Sequence, residues 1–241
     1  MTQKRKPQTR LVRAGLESDT QHGAVVPPIH LSATFSFAGL DQPRTYDYSR
    51  SGNPTRDLLG GALAELEGGA GAIVTATGMA AVTLALALVK PGERVIAPHD
   101  CYGGTHRLLA ALKRTGRAEV EFVNFTDLAA VARALTPAPR LVWIETPSNP
   151  LLRITDIAAV TKLAQAAGAL VAVDNTFLSP VWQRPIEFGA DLVVHSTTKY
   201  INGHSDVVGG AVIARDKALL EELRWWANCL GVTGCAFDSY L

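Results

Sequence analysis

The feature that most constrains the fold of this chain is an alternation of short apolar runs with longer amphipathic segments, which begins near residue 55. Strands that alternate with segments of helical apolar spacing are typical of a mainly parallel sheet covered by helices on both faces. The sequence therefore predicts an α/β domain with one sheet. Its seven predicted strands are Ala72–Thr75, Arg94–Ala97, Val120–Val123, Leu141–Glu145, Leu170–Val173, Leu192–His195 and Ala211–Ala214.

Helices are predicted in the intervals between these strands. Pro54 precedes the first helix and Gly168 follows the fifth, which are the positions that proline and glycine favour at helix ends. Thr126 and Thr155 are the predicted N-caps of the fourth and fifth helices. The six predicted helices are Thr55–Glu67, Met79–Val89, Gly104–Thr115, Asp127–Leu135, Asp156–Ala167 and Asp216–Cys229.

Residues 1–54 have a different character. They concentrate aromatic, proline and arginine residues in segments such as VVPPIHLSATFSF, and they show no strong period. We therefore expect an extended N-terminal arm over residues 1–54, which lies on another surface, and an α/β domain over residues 55–241. The final segment FDSYL looks like part of a continuing helix, and nothing after it punctuates a domain end, so we expect the domain to be truncated at its C-terminal end.

Charge and cysteine content exclude several classes of function. Lysines and arginines total 23 against 22 acidic residues, and this net charge of +1 provides no field that would attract nucleic acid or an anionic membrane. Residues 68–89 carry no charge, but the glycines and threonines of their first half favour a buried strand, turn and helix over a membrane span. Three cysteines without a CxxC pair favour a reducing, cytoplasmic compartment, and six histidines without zinc-site spacing give no reason to expect a metal. The expected partners are small molecules.

Polar residues cluster where four of the predicted strands end. In an open α/β sheet, ligands bind beyond the carboxyl ends of the strands, so the sequence predicts its functional site there. The four stretches are ATGM at 76–79, ETPSNP at 145–150, DNTF at 174–177 and HSTTKY at 195–200.

Asp174 and Lys199 are the pair in these stretches that suggests a particular cofactor. Taken singly, an aspartate after a strand is commonly a turn or N-cap residue, and a lysine at the end of a loop commonly faces solvent. Together, at neighbouring strand ends, they supply what pyridoxal phosphate requires, an amine for covalent attachment and a carboxylate that keeps the ring nitrogen protonated.

Groups suited to a phosphate and to an aromatic ring lie in the same stretches. Ser196 and Thr198 offer hydroxyls near the lysine, and Gly78 and Met79 open a predicted helix whose free N–H groups can hold a phosphate. Tyr102 can stack on a ring or serve as ordinary packing.

Other motif interpretations fail on context. Residues 196–199 match the SxxK of penicillin-recognising acyl transferases, but the KTG and SDN elements are missing. The segment GGAGAIV follows a helix and precedes a strand, which is the reverse of the dinucleotide-binding order, and no Walker A sequence is present.

At these residues the chain resembles the Cys/Met metabolism family of pyridoxal-phosphate enzymes. The resemblance implies the fold-type I architecture of these transferases and pyridoxal 5′-phosphate as the cofactor. It also implies a C-terminal domain that grips the substrate α-carboxylate, and we expect that domain to be absent from this chain. The motifs, which are specific as a set and cover nearly the whole chain from about residue 10, are YSRSGNPT, ATGMAA, DCYGGTHRL, ETPSNP, DNTFLSP and HSTTKYINGHSDVVGG.

The resemblance also implies roles for individual residues. Lys199 is implied as the lysine bound covalently to the cofactor and, with Tyr102, as a catalytic residue, while Asp174 is implied as the partner of the ring nitrogen. Tyr48 and Arg50, on the arm, are implied to reach the phosphate of a neighbouring subunit, in a homotetramer of two pairs that share active sites. The other implied cofactor-binding residues are Gly78, Met79, Asn149, Thr176, Ser196 and Thr198.

The reaction that the resemblance implies is γ-replacement, in which an O-acyl-L-homoserine and L-cysteine form L-cystathionine during methionine biosynthesis. A cystathionine γ-lyase or O-acylhomoserine sulfhydrylase reaction is the alternative, because Lys199 and Asp174 serve all of these. A catalytically silent, truncated fragment is a further alternative. Two departures from the family pattern are Ser51, where some members carry an arginine for the distal carboxylate of the acyl group, and Cys235, which replaces a usual glycine.

Overall fold

A computed structural model describes residues 6–241 of the chain, and its centre is a seven-stranded sheet. All seven predicted strands are confirmed, each to within one residue at either end. The strands are β1 (Gly71–Thr75), β2 (Arg94–Pro98), β3 (Glu119–Val123), β4 (Leu141–Glu145), β5 (Leu170–Asp174), β6 (Leu192–His195) and β7 (Gly210–Ala214).

The strand order across the sheet is β1-β7-β6-β5-β4-β2-β3. Four of the six strand pairings are parallel, and only the two pairings of β7 are antiparallel. The predicted mainly parallel sheet is therefore confirmed. Because β7 runs opposite to both of its neighbours, the other six strands all end at the same edge of the sheet. The polar stretches that follow β1, β4, β5 and β6 meet at that edge.

Six of the nine α-helices within residues 6–241 occupy the predicted intervals. Pro54 opens its helix behind Asn53, whose side chain accepts two first-turn N–H groups, and Gly68 ends the same helix with a φ of +80°. The other three are short, and one of them, Ala236–Tyr240, is the helix expected at the segment FDSYL. The helices are α1 (Pro7–Arg13), α2 (Pro54–Glu67), α3 (Gly78–Leu86), α4 (Gly103–Arg114), α5 (Leu128–Ala134), α6 (Ile157–Ala166), α7 (Ser179–Trp182), α8 (Lys217–Leu230) and α9 (Ala236–Tyr240).

The predicted N-caps Thr126 and Thr155 are wrong. The caps are the next residues along the chain, Asp127 and Asp156, and each carboxylate accepts a first-turn backbone N–H at 2.9 Å. A carboxylate accepts this hydrogen bond as a hydroxyl does and adds a negative charge at the positive end of the helix dipole.

Apolar side chains pack on both faces of the sheet, as predicted. All five residues of β4 are buried. Leu141 and Trp143 belong to the apolar cluster that includes residues of α3, α4 and α8, while Val142 and Ile144 belong to the cluster that includes residues of α5 and α6. Alternate residues of a strand point to opposite faces, so an uninterrupted apolar strand requires cover on both sides.

The N-terminal arm contains one helix, α1, which the sequence did not predict. No helix or sheet strand is present between residues 14 and 53. The middle of this segment is tied to the start of α2, because the His30 N–H donates to Thr55 Oγ1 at 2.9 Å and Asn53 Nδ2 donates to the His30 carbonyl at 2.9 Å. Residues 1–5 of the predicted arm lie outside the described residues.

The uncharged segment 68–89 forms β1, a turn and then α3. The predicted strand, turn and helix are therefore confirmed. Across residues 6–241, none of the helices combines the length and apolar character needed to cross a bilayer.

Candidate functional site

Loops from separate parts of the chain enclose a cavity at the edge where the parallel strands end. Its volume is about 330 Å³, which lies within the ~300–1,000 Å³ typical of small-molecule sites. Nine of the eleven residues predicted to bind the cofactor line this cavity. They are Gly78, Met79, Tyr102, Asn149, Asp174, Thr176, Ser196, Thr198 and Lys199.

Two carboxyl groups, Glu145 and Asp174, end neighbouring strands and line the cavity. They are paired in register across β4 and β5, so both side chains lie on the same face of the sheet. Burial raises the pKa of Asp174 above its usual range, although hydrogen bonds from Thr176 oppose this shift. Burial, followed by the charge of Asp174, raises the pKa of Glu145 to about 8.

Asp174 is also a turn residue, which is the ordinary role of an aspartate that follows a strand. Its Oδ1 accepts the backbone N–H of Thr176 at 3.0 Å. The Thr176 hydroxyl in turn accepts the N–H of Ser196 at 2.8 Å, which joins the loop after β5 to the turn after β6. The hydrogen bonds within these loops therefore fix the carboxylate at the cavity wall.

Lys199 lies in the turn that follows β6, and its side chain is exposed. The Gly203 N–H donates to the Lys199 carbonyl at 2.9 Å, and the Thr198 hydroxyl pairs with both backbone groups of Gly209. Within residues 6–241 the Lys199 ammonium forms no ion pair with a carboxylate. An amine on the cavity wall without such a partner is available to react with an aldehyde.

The N-terminus of α3 and the turn after β6 form a narrow cradle, which we define by Gly78, Met79 and Ser196. Thr77 caps the helix by accepting the Ala80 N–H at 2.9 Å. A Cβ atom on Gly78 would lie 2.7 Å from the Cβ of Ser196, so only glycine allows this close approach. The N–H groups at the start of a helix have no partner inside it, which makes the cradle suitable for an anion.

Tyr102 is the N-cap residue of α4, and its ring lines the cavity. A Cβ atom on Gly104 would lie 2.6 Å from Cε1 of Tyr102 and 2.7 Å from the sulfur of Met79. The absence of a side chain at Gly104 therefore gives the ring its place beside Met79. This arrangement presents an aromatic ring to the cavity, as the stacking role predicted for Tyr102 requires.

The sequence did not predict Glu145 as a site residue. The residue is only 5% exposed, and its carboxylate accepts the backbone N–H groups of Tyr102 and Asn149, each at a shortest distance of 2.8 Å. One feature of the sequence could have identified it, because Glu145 is the single charged residue in the otherwise apolar run LVWIE.

Tyr48 and Arg50 do not line the cavity. Both are exposed, and the Arg50 guanidinium lies 5.4 Å from the centre of the Tyr48 ring. Arg50 Nη1 donates to the carbonyl oxygen and to Oδ1 of Asn228, both at 2.7 Å. The structure therefore brings these two residues to each other and Arg50 to the end of α8, outside the cavity that the other nine line.

The chemistry of the lining residues fits pyridoxal phosphate. The cavity has a free amine at Lys199, a carboxyl group at Asp174 and an aromatic ring at Tyr102, and the cradle at Gly78 suits a phosphate. Among the described residues, no group of three or more His, Cys, Asp or Glu side chains is arranged to hold a metal ion.

Known proteins resemble the chain over almost all of its length. The cystathionine gamma-synthase of Escherichia coli (strain K12) is 58% identical over 98% of this chain and 62% of the relative. A solved cystathionine gamma synthase from Xanthomonas oryzae pv. oryzae, in complex with aminoacrylate and cysteine, matches 99% of this chain and 62% of its own with a TM-score of 0.97 and 58% identity. A cystathionine gamma-lyase from Lactobacillus plantarum, complexed with L-serine, matches 98% of this chain and 62% of its own with a TM-score of 0.94 and 41% identity.

The chain thus spans about three fifths of the length of these relatives, at 62% in each case. Residues 8–241 also match the family described as Cys/Met metabolism PLP-dependent enzyme. The family match, the identities and the shared fold agree, and the chain belongs to the Cys/Met metabolism family of PLP-dependent enzymes.

Proposed function

We propose that this protein uses pyridoxal phosphate to form L-cystathionine from an O-acyl-L-homoserine and L-cysteine. The observation that carries the proposal is one cavity lined by the Lys199 amine, the Asp174 carboxyl group and the cradle at Gly78. Two relatives with 58% identity bear the name of this synthase, and one of them was solved with cysteine.

Different residues of the cavity would bind different parts of the cofactor. Lys199 would attach it covalently, and Asp174 would keep its ring nitrogen protonated. The free N–H groups of the cradle and the hydroxyls of Ser196 and Thr198 would hold the phosphate. Tyr102 would stack on the ring, and Asn149 would lie near the ring hydroxyl.

When bound, pyridoxal phosphate supplies an electron sink for the negative charge that develops on the substrate. The Lys199 amine would remove the proton from the substrate α-carbon and then move a proton at the β-carbon. The bond from the γ-carbon to the acyloxy group breaks, the acid leaves, and the cysteine sulfur forms the new bond at the γ-carbon. Lys199 thus has two roles, covalent attachment and proton transfer.

A Lys199→Ala variant tests this proposal, with Lys90→Ala, an exposed lysine before β2, as the matched control. After incubation with pyridoxal phosphate and reduction, mass spectrometry should find the cofactor on the wild type and on the control but not on Lys199→Ala. If Lys199→Ala still forms the yellow covalent adduct with pyridoxal phosphate and still converts substrate, the proposal is refuted. A folded wild-type protein that takes up no cofactor would favour a silent assembly module.

A γ-elimination or sulfhydrylase reaction is the second candidate. Its support is the gamma-lyase of Lactobacillus plantarum, which matches the same 98% of the chain with a TM-score of 0.94. The same Lys199 and Asp174 serve each of these reactions. Rates with cysteine or sulfide as the acceptor, and with cystathionine as the donor, distinguish the candidates.

We also propose a homotetramer of two pairs, in which residues 1–54 of one subunit complete the site that residues 55–241 form in its neighbour. The support is that Tyr48 and Arg50 are exposed and lie outside the cavity of their own chain. A mixture of inactive Arg50→Ala and Lys199→Ala subunits should regain activity, because one mixed site then carries both native residues.

The three thiols, all unpaired in the structure, support a cytoplasmic location, which cell fractionation tests.

A further inference from the structure

Glu145 joins two loops that come from different parts of the chain. Its Oε1 and Oε2 accept the N–H of Tyr102 at 3.0 and 2.8 Å, and its Oε1 also accepts the N–H of Asn149 at 2.8 Å. The carboxylate comes from β4, all of whose residues are buried, so it is held by a rigid element. Ser148 Oγ also donates to Asp100 Oδ2 at 2.7 Å between the same two loops, but Glu145 is the side chain that binds the backbone N–H groups of both Tyr102 and Asn149.

The side chains of Tyr102 and Asn149 do not themselves hold these two residues in place. Tyr102 is the N-cap of α4, but its own side chain caps no N–H group of the helix. The side chains of Tyr102 and Asn149 are exposed. A carboxylate that accepts the N-cap N–H is the arrangement found within a capping box, and here it is supplied by a distant strand instead of by the helix itself.

We propose that Glu145 is a positioning residue, whose ionised carboxylate holds Tyr102 and Asn149 where they contact the cofactor. This inference rests on the proposed function, because it assigns Glu145 a purpose at the same cavity. Glu145 acts through the backbone of these two residues.

The tether requires the ionised form of Glu145. A carboxylate offers lone pairs to all of the N–H groups, whereas a protonated carboxyl group turns one oxygen into a donor that faces other donors. The charges of Asp174 and Asp100 oppose ionisation, and a cation at Asp174 would relieve the larger of these two effects. The ionisable groups that act on Glu145 or line the same cavity are Asp100, Cys101, Tyr102, Asp174 and Lys199, and Arg153 lies 4.0 Å from Asp100.

Cofactor binding and the tether should therefore strengthen each other. Burial raises the pKa of Glu145 to about 8, so without a nearby cation its protonated form is favoured at neutral pH. Binding of a cationic ring beside Asp174 then promotes release of the Glu145 proton. In consequence, part of the rise in cofactor affinity between about pH 6 and pH 8 should depend on Glu145.

A Glu145→Gln variant tests the inference, because the amide has nearly the same shape but its NH₂ group faces an N–H donor. Glu187→Gln, an exposed glutamate paired with Arg184, is the matched control. We expect Glu145→Gln to bind pyridoxal phosphate at least ~10-fold more weakly at pH 8, with a flatter pH dependence, since hydrogen bonds to a charged group are lost. The circular dichroism band of the bound cofactor should also weaken, because the ring is held less rigidly. The control should match the wild type in all three readouts.

An equal affinity, pH dependence and dichroism band in Glu145→Gln would overturn the inference while leaving the proposed function intact. If the wild type takes up no cofactor, the proposed function fails, and hydrogen exchange then tests the tether by itself. After correction for intrinsic rates, the amides of Tyr102 and Asn149 should lose protection as the pH falls below about 8. This measurement needs no variant, so it also decides the matter if Glu145→Gln does not fold. Protection that is constant with pH rejects the tether.

Discussion

Replacing Gly78 with alanine adds one methyl group where α3 approaches the turn after β6. The new Cβ would lie 2.7 Å from the Cβ and 2.8 Å from the Oγ of Ser196. The optimum separation of two carbons is ~3.5 Å, so the helix start and Ser196 have to separate by roughly 0.8 Å. Ser196 cannot retreat freely, because its N–H donates to Thr176 Oγ1 at 2.8 Å and the preceding strand is buried.

This displacement should affect binding more than folding. Overpacking of this kind costs about 1–3 kcal/mol, and alanine regains about 0.5–1 kcal/mol over glycine in a helix. The free energy of unfolding should therefore fall by less than about 2.5 kcal/mol. The anion cradle, in contrast, loses its geometry, and the affinity for pyridoxal phosphate should fall at least ~10-fold because a misplacement near 1 Å weakens every hydrogen bond to the phosphate.

Gly61→Ala is the control, because Gly61 is an exposed residue of α2 and its added Cβ would meet no atom within 4 Å. It should raise the free energy of unfolding by about 0.5–1 kcal/mol and leave the affinity unchanged. Absorbance titration with pyridoxal phosphate measures the affinity, and urea unfolding measures the stability. A Gly78→Ala protein that binds the cofactor as tightly as the wild type would refute the argument that this close approach shapes the phosphate site.

Two further pairs of variants test the fold. Glu67 is fully buried, contacts His195 Nε2 at 2.6 Å and accepts from Asn175 Nδ2 at 2.8 Å, so Glu67→Ala should lower the free energy of unfolding by about 3–5 kcal/mol. The exposed Glu65→Ala should change it by less than about 0.5 kcal/mol in the same urea experiment, and a loss below about 1 kcal/mol for Glu67→Ala would contradict this reasoning. Asp127→Ala removes the cap of α5 and should cost about 1 kcal/mol, whereas Asp127→Ser should restore most of the loss. Equal thermal unfolding of the two Asp127 variants would exclude a capping role.

The strands and the long helices were predictable because their signals are local. The run Leu141–Glu145 is apolar without interruption, and such a run within an alternating pattern has few other interpretations. The helix α1 gave no such signal, since none of its residues is buried and no apolar face is needed. The cap of α5 was misassigned because Thr126 and Asp127 are adjacent and both are common N-caps, so only the observed geometry distinguishes them.

The candidate site was predictable to the extent that its residues follow strands. Asp174 ends β5 and Lys199 lies in the turn that follows β6, so the shared direction of these neighbouring strands brings both residues to one edge of the sheet. The role of Glu145 depends on a contact with Tyr102, 43 residues away in the sequence, and no local pattern encodes a contact at that separation. The positions of Tyr48 and Arg50 likewise depend on how the arm packs against α8.

The common direction of six strands gives the two edges of the sheet different tolerances to change in chain length. At the edge opposite the cavity, the tight turns before β2, β3 and β5 contain Gly92, Gly116 and Gly168, each with a positive φ and open space around it. Because these turns only return the chain to the sheet, short insertions or fused tags there leave the cofactor cavity untouched. An insertion between the end of β6 and Lys199 would instead move the amine away from Asp174, and one directly after β5 would disrupt the turn at Thr176 that holds the Asp174 carboxylate. Natural and engineered variation in loop length should therefore accumulate at the first edge.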